Sequence, residues 1–246
     1  MDFGIYSCGN ANVSLEGLND QLYSAVVLGE YENAVTISLV LDKLSNGNVV
    51  KNVVDRLLRN SIRNTMEYSY KLWSCGGRHV VANHFPVEFR LILGEDVLKL
   101  VNKRDNLALK LGVDIDGDGD RGAWGDGKDK SSNRVSWKMI PIWEGNKTYF
   151  KIYNPDTNMY LKSGIVDDNI GDRRCYGSSD ADTNRHQWYL HPVKYDEDVL
   201  FFIYNRKYNQ ALKLGRDADN IGDRVLWGHN GYVTNNPEHF AWRILP

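Results

Sequence analysis

Asp116-Gly117-Asp118-Gly119-Asp120-Arg121, followed by Trp124-Gly125, returns as Asp168-Asn169-Ile170-Gly171-Asp172-Arg173 with Tyr176-Gly177, and again as Asp219-Asn220-Ile221-Gly222-Asp223-Arg224 with Trp227-Gly228. Self-similarity at about 51 to 52 residues is the mark of a chain built from units that cannot bury their apolar faces singly. Other positions obey the same period. Leu98-Lys99-Leu100-Val101-Asn102 aligns with Phe150-Lys151-Ile152-Tyr153-Asn154 and Phe201-Phe202-Ile203-Tyr204-Asn205, and the copies close on Trp137, Trp188 and Trp242. The short alternating runs between glycine, asparagine and aspartate read as strands. Three units of four strands about a threefold axis give a β-trefoil, with the three closing tryptophans expected in a shared core.

Upstream the hydrophobic period is helical. Val49, Val53, Leu57 and Leu58 fall on one face, and Lys51, Asp55, Arg56 and Arg59 on others. Leu15, Leu18, Leu22, Val26 and Val27 form a second stripe, and Met66, Tyr70 and Trp73 a third. Asn46-Gly47 and Gly76-Gly77 interrupt the pattern, and Pro86 suits the first turn of a last short helix. The expected organisation is an N-terminal arm over 1–14, an all-α helical bundle over 15–95, and a C-terminal β-trefoil over 96–246 with repeats at about 97–147, 148–198 and 199–246.

Composition excludes several classes of function. Thirty Lys and Arg against 32 Asp and Glu leave a formal charge of -2 and no basic run, so nucleic acid is not an expected partner. The longest apolar stretch, Ala34 to Leu41, is interrupted by Thr36 and Ser38 and falls far short of a membrane span. The opening Met1-Asp2-Phe3-Gly4-Ile5-Tyr6 lacks the pattern of a signal peptide. Asn12-Val13-Ser14 and Asn146-Lys147-Thr148 are glycosylation sequons, informative only in a secreted chain.

Each chemical motif has a plainer structural reading. Asp114, Asp116 and Asp118 with Gly119 imitate the start of a calcium loop, but position 12 is Gly125, and the other copies replace Asp118 by Ile170 and Ile221. A structural turn is the expected role, with Asp114, Asp116 and Asp118 a weak calcium candidate. The G-x-G-x-x-G string at 117–122 lacks the strand and helix that a dinucleotide site requires. The six histidines show no metal spacing, no nucleophile elbow occurs, and no carboxylate pair stands apart, so neither enzyme, metal nor cofactor is expected. Cys8 and Cys75 would tether the arm to the helices if oxidised together; two free thiols are the alternative.

Two ligand sites are candidates. Asp116, Asp168 and Asp219 could accept hydrogen bonds from glycan hydroxyls beside an aromatic face, or simply cap their own turns. Phe85, Phe89 and Leu93 border the helix–strand junction, either as a cleft for an apolar ligand or as interdomain core.

Tyr68-Ser69-Tyr70-Lys71-Leu72-Trp73, Phe85-Pro86-Val87-Glu88-Phe89-Arg90-Leu91-Ile92, Arg134-Val135-Ser136-Trp137-Lys138, Gln187-Trp188-Tyr189-Leu190 and the run Asp198 to Arg206 resemble the insect low-molecular-mass haemolymph lipoproteins, the thirty-kilodalton family that includes microvitellogenin. The resemblance implies a VHS-like helical bundle with a β-trefoil. It also implies a secreted, non-enzymatic haemolymph storage and transport protein, carrying lipid or another apolar molecule and taken up by eggs through a receptor. Lectin-like glycan or glucan binding through the trefoil is the alternative. On this reading a signal peptide has been removed and Met1 was supplied for expression.

Overall fold

The computed structural model describes residues 15–44, 46–127, 132–231, 233 and 237–246. Cys8, Met1 and the Asn12 sequon lie outside the described residues, and so does the pairing of Cys8 with Cys75. Cys75 itself is exposed where the fourth helix ends.

Six helices come first: α1 Leu15–Leu28, α2 Tyr31–Lys43, α3 Gly47–Arg59, α4 Thr65–Ser74, α5 Arg78–His84 and α6 Val87–Leu93. Their boundaries follow local chemistry. Gly76, at φ +91°, adopts the left-handed conformation that terminates α4, and Pro86 stands at the N-cap of α6. Helix α3 buries Val50, Val53, Val54, Leu57 and Leu58 while Lys51, Asn52 and Arg59 stay exposed, so the sequence stripe is the packed face.

Twelve strands follow: β1 Lys99–Asn102, β2 Ala108–Ile115, β3 Arg121–Asp126, β4 Lys138–Glu144, β5 Lys147–Asn154, β6 Met159–Asp167, β7 Arg173–Ser178, β8 Gln187–Tyr195, β9 Asp198–Asn205, β10 Ala211–Ala218, β11 Arg224–His229 and β12 Ala241–Leu245, the last preceded by the single-turn helix α7 Pro237–Phe240. All pairings are antiparallel and belong to one sheet, which the β9–β10 pairing closes on itself. The hairpins β2–β3, β6–β7 and β10–β11 also meet one another, since β3 pairs with β7, β7 with β11, and β11 with β3.

Trp137, Trp188 and Trp242 are each 0 % exposed. A buried indole N–H needs an acceptor, and the repeat supplies the same one three times: Nε1 donates to the carbonyl oxygens of Leu109 (2.8 Å), Leu161 (2.9 Å) and Leu212 (3.2 Å).

The expected fold class requires correction. A single hydrophobic core extends without a break from Leu22 in α1 to Ile244 in β12. Phe89 of α6 packs on Phe201 of β9 with centroids 5.8 Å apart, and Tyr70 of α4 stacks on Trp143 of β4 at 5.4 Å. Burying one such aromatic contributes about 1.5–3 kcal/mol, so these contacts bind the two halves together. The protein is therefore mostly a closed antiparallel β-barrel with helices laid against it, and not an N-terminal VHS-like helical bundle followed by a β-trefoil. Hydrophobic periodicity reports the type of each element; it carries no information on cross-packing between distant elements, which here fuses the halves into one core.

Candidate functional site

The three Asp-x-x-Gly-Asp-Arg segments form three matching turns. In the first, Asp116 Oδ1 accepts the backbone N–H groups of Asp118 (3.0 Å) and Asp120 (2.9 Å). Asp168 does the same for Ile170 and Asp172, and Asp219 for Ile221 and Asp223. Such side-chain-to-backbone bonding is what makes aspartate a turn former. Gly119, Gly171 and Gly222 lie at φ +82°, +83° and +88°, a region in which a side chain would be strained. Asp116, Asp168 and Asp219 are all exposed, so each has one carboxylate oxygen in the turn and its face toward solvent.

The second aspartate of each turn reaches into the neighbouring hairpin. Asp120 pairs with Lys162, Asp172 with Lys213 at 2.5 Å, and Asp223 with Lys110 at 2.6 Å. The relay runs from hairpin one to two, two to three, and three back to one. Lys110 and Asp223 are 5 % and 6 % exposed, the degree of burial at which charges persist only when paired. Arg121 and Arg224 donate to backbone carbonyls of their own hairpins, and only Arg173 adds a carboxylate, Asp167 at 2.9 Å. The lysines were overlooked although Leu109-Lys110, Leu161-Lys162 and Leu212-Lys213 occupy one place in the repeat. A lysine within an apolar strand was the signal.

Each lysine stands opposite an aromatic residue across its hairpin: Lys110 with Trp124, Lys162 with Tyr176, Lys213 with Trp227. Two cavities result. One of about 420 Å³ is lined by Asp116, Asp120, Lys162, Gly164 and Tyr176. The other, about 640 Å³, is lined by Asp168, Asp172, Lys213, Gly215, Trp227 and His229. Burial works against the Asp172 charge, but bonds from Lys213 and from the Asn230 N–H outweigh it and hold the carboxyl below the usual range. His229 Nδ1 lies 2.8 Å from the same carboxylate.

A third cavity, about 670 Å³, opens between α3, the α5–α6 connection and the β8–β9 turn. Val54, Leu58, Phe85 and Val199 supply its apolar lining, while Asp55, Arg59 and Lys194 contribute charge. Asp55 bridges Lys194 (2.5 Å) and Arg59 (2.7 Å), and the bond from Lys194 holds its carboxyl below the ordinary range. Of the junction residues named from sequence, Phe85 lines this groove, whereas Phe89 and Leu93 are buried in the common core. Among the described residues, no three His, Cys, Asp or Glu side chains are placed to hold a metal ion, and Asp114, Asp116 and Asp118 form no such group. No helix among them is long and apolar enough to cross a membrane.

The profile of the lepidopteran low molecular weight (30 kD) lipoproteins matches residues 16–246. The chain belongs to this family. Among curated relatives, low molecular mass lipoprotein 3 of Bombyx mori is 49% identical over 96% of this chain and 92% of its own length. Microvitellogenin of Manduca sexta is 52% identical over 92% of this chain and 91% of its own. For this lipoprotein, the match spans both the helices and the barrel, so the shared core described above lies within the family's common sequence.

Proposed function

We propose that this lipoprotein is a non-enzymatic storage and transport protein of haemolymph, secreted after removal of a signal peptide, that carries an apolar small molecule and is taken up by eggs through a receptor. The observation that carries the reading is the groove of about 670 Å³ beside α3, whose volume suits a small molecule and whose walls combine apolar side chains with charged ones. An apolar chain would lie against Pro86 and Val199, the half-buried apolar side chains of the groove, over a floor formed by the buried Val54, Leu58 and Phe85. Extraction of protein purified from haemolymph with organic solvent, followed by mass spectrometry, tests this: an apolar molecule near one per chain supports it, and a ligand-free protein opposes it. Catalytic turnover of the recovered molecule would displace the non-enzymatic reading.

A second reading is glycan binding at the two hairpin cavities, favoured by the pairing of an exposed aspartate with a half-buried aromatic ring in each. In it Asp116 and Asp168 accept sugar hydroxyl groups and Tyr176 and Trp227 present ring faces, with Asp219 the corresponding residue of the last hairpin. A glycan array separates the readings. Binding that is lost in Trp227→Ala at unchanged melting temperature would put the glycan function first.

A further inference from the structure

Asn146-Lys147-Thr148 satisfies the sequon for N-linked glycosylation, a pattern too short to mean anything by itself. Its placement in the fold adds two independent observations. The first concerns the asparagine. Glu144 and Lys147 pair across the β4–β5 hairpin, leaving Gly145 and Asn146 as a two-residue turn with φ of +56° and +60°. Positive φ at both central positions defines a type I′ turn, and asparagine tolerates that conformation better than most residues. Asn146 is exposed at the hairpin tip, where a bulky substituent on its amide projects into solvent without displacing any packed group.

The second observation concerns the threonine. Thr148 is 1 % exposed and faces inward on β5, yet its Oγ1 makes no hydrogen bond among the described residues. A buried hydroxyl without a protein partner adds little to stability, so valine, which has the same shape without the oxygen, should serve the fold at least as well. No group among the described residues uses the hydroxyl. It is the group that a sequon must carry two residues after its asparagine.

We propose that Asn146 is an N-glycosylation site. The chain would be modified before folding, while Thr148 is still accessible, by an oligosaccharide carried on a polyprenyl pyrophosphate. The Asn146 Nδ2 atom forms a bond to the anomeric carbon as that carbon's bond to the pyrophosphate oxygen breaks. The amide proton passes to the transferring enzyme, and the lipid pyrophosphate leaves with the electron pair. Folding then buries Thr148 and leaves the glycan on the tip of the turn. The proposal is independent of what occupies the groove or the hairpin cavities.

The test is secretion of the full chain, behind a signal peptide, from lepidopteran cells. Secreted protein is digested, treated with a peptide N-glycosidase active on insect glycans in heavy-oxygen water, and mapped by mass spectrometry. Most copies of Asn146 should be recovered as heavy-oxygen aspartate, and Asn146→Gln should remove that signal and lower the intact mass by one glycan. Thr148→Val should likewise lose the glycan, while the same variant made in bacteria should melt at or above the wild-type temperature. Recovery of Asn146 unmodified from secreted wild-type protein would overturn the proposal, and a marked fall in the melting temperature of bacterial Thr148→Val would overturn the argument from the hydroxyl. Should Thr148→Val fail to secrete, site mapping of wild type and Asn146→Gln decides the matter alone.

Discussion

Asp223, in the last hairpin turn, accepts a 2.6 Å bond from Lys110 in the first hairpin, closing the repeat relay from the chain's end back to its beginning. Both side chains are nearly excluded from solvent. Lys110 also pairs with the buried Asp126 at 3.4 Å, so Lys110→Ala takes a counterion from two buried carboxylates and should destabilise by about 3–5 kcal/mol. Replacing Lys110 and Asp223 together by apolar residues of similar volume should cost less than the sum of the two single losses, though Asp126 still loses Lys110. Urea unfolding midpoints of the two single variants and the double variant measure the coupling, and a double-variant loss equal to the sum of the two single losses would mean that the pair does not act as a unit.

Trp188→Ala removes a fully buried indole and leaves the Leu161 carbonyl without its donor. The expected loss is about 3–5 kcal/mol. The same substitution at Trp137 or Trp242 should cost a similar amount, because each indole occupies the same place and makes the same bond to a strand carbonyl. Chemical denaturation would show it, and losses under about 1 kcal/mol at all three positions would contradict their place in the core.

Glu67 of α4 is 3 % exposed, and burial pushes its carboxyl above the usual range. A folded-state value raised above the unfolded one means that its contribution to stability is fully present below about pH 4 and is lost as pH rises through the raised value. Glu67→Gln, which stays neutral, should therefore melt above wild type at pH 8, with the gap closing below about pH 4. A constant gap across this range would show that Glu67 does not titrate abnormally.

Asp172 shows the opposite sign. Its carboxyl is held below the usual range against its own burial, chiefly by Lys213, so its stabilisation is present above about pH 4 and is lost as pH falls through the lowered value. Lys213→Met should destabilise the protein at neutral pH and flatten the acid limb of its stability curve. An unchanged acid limb would place the acid sensitivity elsewhere.

How much of this was legible depends on distance along the chain. The turns were readable because Asp116, Gly119 and Asp120 act on one another within five residues and recur twice more. The buried tryptophans were readable because alternation and period agree at Trp137, Trp188 and Trp242. The Lys110–Asp223 pair was not, since a single sequence carries no signal for which distant lysine meets which carboxylate. The separate bundle and β-trefoil failed for the same reason: the contacts of Phe89 with Phe201 and of Tyr70 with Trp143 join segments remote in sequence into one core. The groove collects Leu58, Phe85 and Val199 from three such segments, and of these only Phe85 was named from its setting.

The carriage of an apolar molecule beside α3 is tested most directly by titrating the delipidated protein with a fluorescent fatty acid, alongside a variant that fills the groove, Val199→Trp. Wild type should bind about one equivalent, and Val199→Trp should bind at least about tenfold more weakly, about 1.4 kcal/mol, with an unchanged circular dichroism spectrum. Equal affinity in the two proteins, or no binding by wild type, would contradict the assignment of the groove.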